Sequence, residues 1–86
     1  MKTEFILYVK TKCPFCQKAK ALLEKHNYPF RSLALDDHQN ILEAIKDLYD
    51  WRTVPMIFKK VDKSYHLIGG YSDLISYLRI EEGLNV

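Results

Sequence analysis

The chain has 86 residues, 48% of them hydrophobic, and 13 Lys and Arg against 11 Asp and Glu give it a formal net charge of +2. That length supports one modest core and is too short for two, so residues 1–86 are expected to form a single domain. The charge is far below the basic excess of a dedicated nucleic-acid binder, and no apolar run approaches membrane-spanning length, so neither partner is expected and small anionic molecules stay open.

The first apolar run, Phe5 to Val9, is shorter than a secretory signal's core and reads as a buried strand that runs into the polar loop Lys10-Thr11-Lys12. With no sign of export, a cytoplasmic location is expected. Pro14 suits the first turn of a helix, and Ala19, Leu22 and Leu23 repeat behind it at helical spacing until Asn27-Tyr28-Pro29 breaks the pattern. Phe30 to Leu35 reads as a second strand with alternating apolar positions. Asp36 and Asp37 are candidate caps for a second helix, whose Ile41, Ala44, Ile45, Leu48 and Tyr49 form one apolar stripe.

Arg52-Thr53-Val54-Pro55 ends that stripe, and Met56-Ile57-Phe58 begins a third strand that should pair with Tyr65-His66-Leu67-Ile68 across a turn near Asp62 and Lys63. Gly69 and Gly70 make a corner before a last helix with Tyr71, Leu74, Ile75 and Leu78 on one face and Ser72 as the expected cap. The order β-α-β-α-β-β-α predicts an α/β fold of one four-stranded mixed sheet with three helices packed over it. Residues Glu81 to Val86 are the only stretch expected to be disordered.

Both cysteines of the chain, Cys13 and Cys16, lie two residues apart and cannot staple distant segments. A bridge over so short a loop stabilises little, and His26, His38 and His66 show no paired ligand spacing, so no metal is expected and the histidines read as ordinary surface or partly buried residues. Redox chemistry is left. A thiol attacks as its thiolate, and a helix N-terminus stabilises that anion with backbone N–H groups and partial positive charge, so Cys13 should titrate below the free value of about 8.5, helped by Lys10 and Lys12. Cys16, deeper in the first turn, is placed to resolve a mixed disulfide formed at Cys13.

Three blocks, Lys10-Thr11-Lys12-Cys13-Pro14-Phe15-Cys16, Thr53-Val54-Pro55 and Gly69-Gly70-Tyr71-Ser72-Asp73, make the chain resemble the glutaredoxins over almost its whole length. The resemblance implies a thioredoxin-like fold, with glutathione as the reducing co-substrate and disulfide-containing or glutathionylated proteins as partners, ribonucleotide reductase among them, served by a monomer. The family motif most often reads Cys-Pro-Tyr-Cys; Phe15 keeps the ring and lacks the hydroxyl.

By the same resemblance Lys10 and Arg52 lie near glutathione carboxylates. Thr53 and Val54 precede a cis Pro55 that faces the nucleophile, with the Val54 backbone pairing with the tripeptide. Gly70, Ser72 and Asp73 hold the γ-glutamyl end, and Tyr71 packs or lines the groove. Trp51 reads as core, with a protein-contact surface as the alternative. Two rival functions remain: binding of an iron-sulfur cluster between subunits, which the Pro14 and Cys16 pair disfavours, and a glutaredoxin-like thioredoxin reduced by a flavoprotein, which Lys10, Arg52 and Asp73 disfavour.

Overall fold

The computed structural model describes residues 3–85. Its elements run β1 (Thr3–Val9), α1 (Pro14–Lys25), β2 (Phe30–Ala34), α2 (Gln39–Tyr49), β3 (Met56–Val61), β4 (Ser64–Gly69) and α3 (Tyr71–Glu81), the order read from the sequence. The strands form one sheet in the order β2-β1-β3-β4. β1 is parallel to β2 and antiparallel to β3, which is antiparallel to β4. The mixture follows from the connections: α1 carries the chain back so that β2 starts where β1 did, whereas only Asp62 and Lys63 join β3 to β4. Asp62 takes the left-handed φ of 56° in that turn, as does Asn27, at 59°, where the chain leaves α1.

Successive strand residues point to opposite faces. Phe5, Leu7 and Val9 join Ile57 on one face and are covered by Cys16, Ala19 and Leu23 of α1 and by Leu74 and Leu78 of α3. Ile6, Met56 and Phe58 face the other way and meet Leu35 and Leu42. Burial on both sides explains why the start of the chain is a continuous apolar run rather than an alternating one. Among the described residues no helix is long and apolar enough to cross a membrane.

Several expectations need correction. β1 starts two residues earlier than its apolar run, because Thr3 and Glu4 still pair with Val61 and Lys60. β2 is an edge strand that ends at Ala34, and Arg31 to Ala34 are exposed despite their alternation. Neither Asp36 nor Asp37 caps α2: its N-cap is His38, without a side-chain cap, because the Asp36 carboxylate is bonded to Thr11. Nor does Ser72 cap α3; the Asp73 carboxylate accepts the Gly70 N–H at 2.9 Å at that helix start.

The apolar stripe of α2 is largely uncovered. None of its residues is fully buried: Leu48 is 76% exposed and Ile41 47%, and the buried residue of α2 is Leu42, which the expected stripe left out. Among the described residues α2 is the one helix on its face of the sheet, which it meets through Leu42 and Ile45, beside an apolar groove of about 230 Å³ among Tyr8, Ile45, Leu48, Tyr49, Phe58 and Tyr65. The C-terminal stretch is ordered as far as it is described: Gly83 turns with a φ of 65°, the Leu84 N–H donates to Leu78 O at 3.0 Å, and Leu84 packs against the core. The part of that expectation concerning Val86 lies outside the described residues.

Candidate functional site: a cysteine pair beside a groove

The loop after β1 delivers Cys13 to the start of α1. Cys13 is the N-cap residue, extended at φ −134° and ψ 104°, and Pro14 begins the helix. A proline costs nothing there, since the first-turn N–H groups have no helical partner. The Cys16 N–H donates to Cys13 Sγ at 3.2 Å, so the sulfur occupies the place of a capping oxygen. In the reduced protein the same amide and the helix dipole favour the Cys13 thiolate.

Cys13 and Cys16 are joined as a disulfide with their Cα atoms 5.1 Å apart. Cys16 is fully buried in the core under α1, and Cys13 is partly exposed. This difference lets an external sulfur reach Cys13 while Cys16 is shielded. On the other side of the pair, Cys13 Sγ lies 3.9 Å from Val54 O, and the Val54–Pro55 peptide bond is cis.

A groove of about 490 Å³ runs beside the disulfide, lined by Phe15, Trp51, Thr53, Val54, Pro55, Gly70, Tyr71, Ser72 and Asp73. Its walls are the loop before β3 and the corner that opens α3, brought together because β3 and β4 are neighbours in the sheet. Phe15 is 55% exposed; its ring is 6.0 Å from that of Tyr71, and Lys18 Nζ lies 5.3 Å from its centroid. The two walls are close at Gly70, where an added Cβ would stand in ordinary contact, 3.9 Å from Pro55 O and from Trp51 Cζ2.

Two residues expected at this groove do not line it. Arg52 is turned to the end of α2, where it pairs with Asp47 at 3.1 Å and Asp50 at 3.7 Å. Lys10 sits half-buried at the end of β1, outside the lining. Trp51 packs, partly buried, against the core on the α2 side, as expected of it, and also contributes to the groove, with its Nε1 buried and without a hydrogen-bond partner. Its position directly before Arg52-Thr53-Val54-Pro55 was the signal that could have placed it there. Among the described residues no cluster of three or more His, Cys, Asp or Glu is arranged to hold a metal ion.

A dithiol that closes to a disulfide at a helix start, facing a proline loop on a four-stranded mixed sheet, defines a thiol-disulfide oxidoreductase of thioredoxin-like fold. The glutaredoxin family model matches residues 5–63. The chain is 37% identical to Glutaredoxin 3 of Escherichia coli (strain K12) over 68 residues, spanning 79% of this chain and 77% of that protein. Wheat glutaredoxin shares its structure with a TM-score of 0.74 at 28% identity, over 87% of this chain and 70% of the wheat chain. A buckwheat glutaredoxin-glutathione complex shares the fold, with a TM-score of 0.76 at 22% identity over 93% of this chain and 72% of its own. The chain belongs to the glutaredoxin family, with Cys13 and Cys16 as its redox-active pair.

Proposed function

We propose that the chain is a glutathione-dependent oxidoreductase that reduces protein disulfides and glutathione mixed disulfides, acting as one domain, as a monomer and in the cytoplasm. The observation that carries this reading is the partly exposed Cys13 at the start of α1, next to a groove whose walls offer both backbone and helix-terminus partners. The Cys13 thiolate attacks one sulfur of a substrate disulfide, forming a mixed disulfide and releasing the other sulfur as a thiolate. The Cys16 thiolate then attacks Cys13 Sγ, expels the second substrate thiolate and leaves the Cys13–Cys16 disulfide. Two molecules of glutathione return the pair to the dithiol and leave as glutathione disulfide. With a glutathionylated protein, Cys13 takes the glutathionyl sulfur directly, and a second glutathione removes it without Cys16.

The groove's volume of about 490 Å³ is in the range of small-molecule sites and suits a tripeptide. Thr53, Val54 and Pro55 on one wall are proposed to pair with its peptide backbone, as an edge strand would. On the other wall, Tyr71, Ser72 and Asp73 present first-turn N–H groups of α3, which attract a carboxylate, while the Gly70 N–H is held by the Asp73 side chain. Phe15 covers the sulfur end. Lys10 is proposed to supply a cation to the carboxylate nearest the cysteines, and Arg52 to do so only after leaving Asp47. The test is a coupled assay with a glutathione mixed-disulfide substrate, glutathione, its reductase and NADPH. NADPH oxidation that depends on this protein is expected; no turnover with glutathione, together with turnover by a flavoprotein dithiol reductase, overturns the reading.

A further inference from the structure

The sheet register continues past the ends of the strands as a side-chain clamp on the nucleophile's loop. β1 and β2 pair with a constant offset, from Phe5 with Phe30 to Val9 with Ala34. Leu35 N–H still donates to Val9 O at 2.9 Å. One step on, the same offset sets Thr11 against Asp36, where the backbone ladder has ended. There the Thr11 N–H donates to Asp36 Oδ1 at 2.9 Å and Oδ2 at 3.2 Å, and the Thr11 hydroxyl donates to Oδ1 at 2.8 Å. Both donors of one residue are thus held by one carboxylate, in the middle of the segment that joins β1 to Cys13.

We propose that Asp36 is a positioning residue for the reaction: by fixing Thr11 it holds the loop in the course that presents Cys13 as the N-cap of α1. The loop is anchored at one end by β1 and at the other by α1, whose Cys16, Ala19 and Leu23 are packed in the core. Between those ends the clamp is what fixes Thr11, two residues before Cys13. Cys13 needs its extended conformation for Sγ to meet the Cys16 N–H at 3.2 Å. The Thr11 hydroxyl, then its N–H, then Asp36's own backbone N–H and the charge of Lys10 hold the Asp36 carboxyl below the usual carboxylate range. The clamp also gives the Asp36 side chain, two residues before the His38 N-cap, a partner outside α2.

The sign of the effect separates this role from simple charge. An anion near a thiol disfavours the thiolate, so deleting the Asp36 charge by itself lowers the pH at which Cys13 reacts. Losing the clamp raises it. The experiment is the rate of Cys13 alkylation by limiting iodoacetamide across pH, read by mass spectrometry on the reduced full chain. Asp36→Ala is expected to move the midpoint up by about half a unit to one unit, roughly three- to tenfold less thiolate on the flank of the curve. Asp36→Asn, whose amide oxygen still accepts from Thr11, is expected to stay at or below the wild-type midpoint.

A midpoint for Asp36→Ala that is unchanged or lower overturns the proposal, as does an equal upward shift in both variants. If Asp36→Ala does not give a native circular-dichroism spectrum, Thr11→Val decides, since it removes only the hydroxyl donor: a smaller upward shift is expected, and none overturns the proposal. The inference rests on Cys13 being the nucleophile. Alkylation of wild type at Cys16 instead of Cys13 sinks the proposal with that reading, whereas a failure to use glutathione leaves it standing, since no glutathione is needed in the assay.

Discussion

Replacing Gly69 by alanine should be among the most damaging single-methyl additions in the molecule. Gly69 ends β4 with a φ of 130°, a region L side chains rarely adopt, and an added Cβ would stand 2.7 Å from Asp73 Cγ and 2.9 Å from Asp73 Cβ. Two costs follow. The backbone strain contributes about 1–3 kcal/mol. To make room, the Asp73 side chain must leave the Gly70 N–H, losing a helix cap that contributes about 0.5–2 kcal/mol. The total of about 1.5–5 kcal/mol is a large share of the roughly 5–15 kcal/mol that holds a domain folded. It corresponds to a fall in Tm on the order of 6–40 °C for a chain of this size. Urea unfolding followed by circular dichroism measures it, with Asp73→Ala alone and combined with Gly69→Ala. The cap can be lost only once, so the double variant should cost less than the sum of the singles by about 1 kcal/mol. A Gly69→Ala loss below about 1 kcal/mol, or strict additivity, refutes the reasoning.

Cys13→Ser should abolish turnover on every substrate, while Cys16→Ser should keep activity on glutathione mixed disulfides and lose it on protein disulfides in steady-state assays; equal losses in both variants contradict the division between a partly exposed attacking cysteine and a buried resolving one. On α2, Leu42→Ala should cost about 2–5 kcal/mol in urea unfolding, as a fully buried leucine does. Leu48→Ser, at 76% exposure, should stay within about 0.5 kcal/mol of wild type, and comparable losses at the two positions would mean that the helix packs through its whole stripe. The Asp36 carboxyl titrates below its unfolded value, so its contribution to stability is present above the ordinary carboxylate range and lost as pH falls through the folded value. Wild type should therefore lose stability below about pH 4 more steeply than Asp36→Asn, and parallel urea midpoints across that range contradict this.

The element order was legible because apolar runs and Pro or Gly breaks alternate cleanly along the chain, from Phe5–Val9 through Pro29 and Pro55 to Gly69-Gly70. What sequence could not supply was which partner wins a polar group. Asp36 reads locally as a cap, yet Thr11, 25 residues away, holds it through the parallel register. Ser72 reads as a cap, yet the helix begins one residue before it, and Asp73, its third residue, is the one placed to reach back to Gly70 N–H. Periodicity put Ile41 and Leu48, both exposed, on the apolar stripe of α2 and left out Leu42, the residue that is buried, because spacing alone does not say which edge of the helix the sheet covers. The groove was legible through three sequence blocks that converge in space. Arg52 departs from its expected place because Asp47 and Asp50, both within five residues, compete for it.

The central claim is that the groove beside Cys13 receives glutathione. Its most direct test is to trap the reduced Cys16→Ser protein as a mixed disulfide with glutathione and compare backbone amide chemical shifts with those of the free form. The account predicts that the largest changes fall at Val54 and at Tyr71, Ser72 and Asp73, on the two walls that flank the sulfur. Changes confined to Cys13 and its immediate chain neighbours, or centred on the tyrosine-lined groove beside α2, would contradict it.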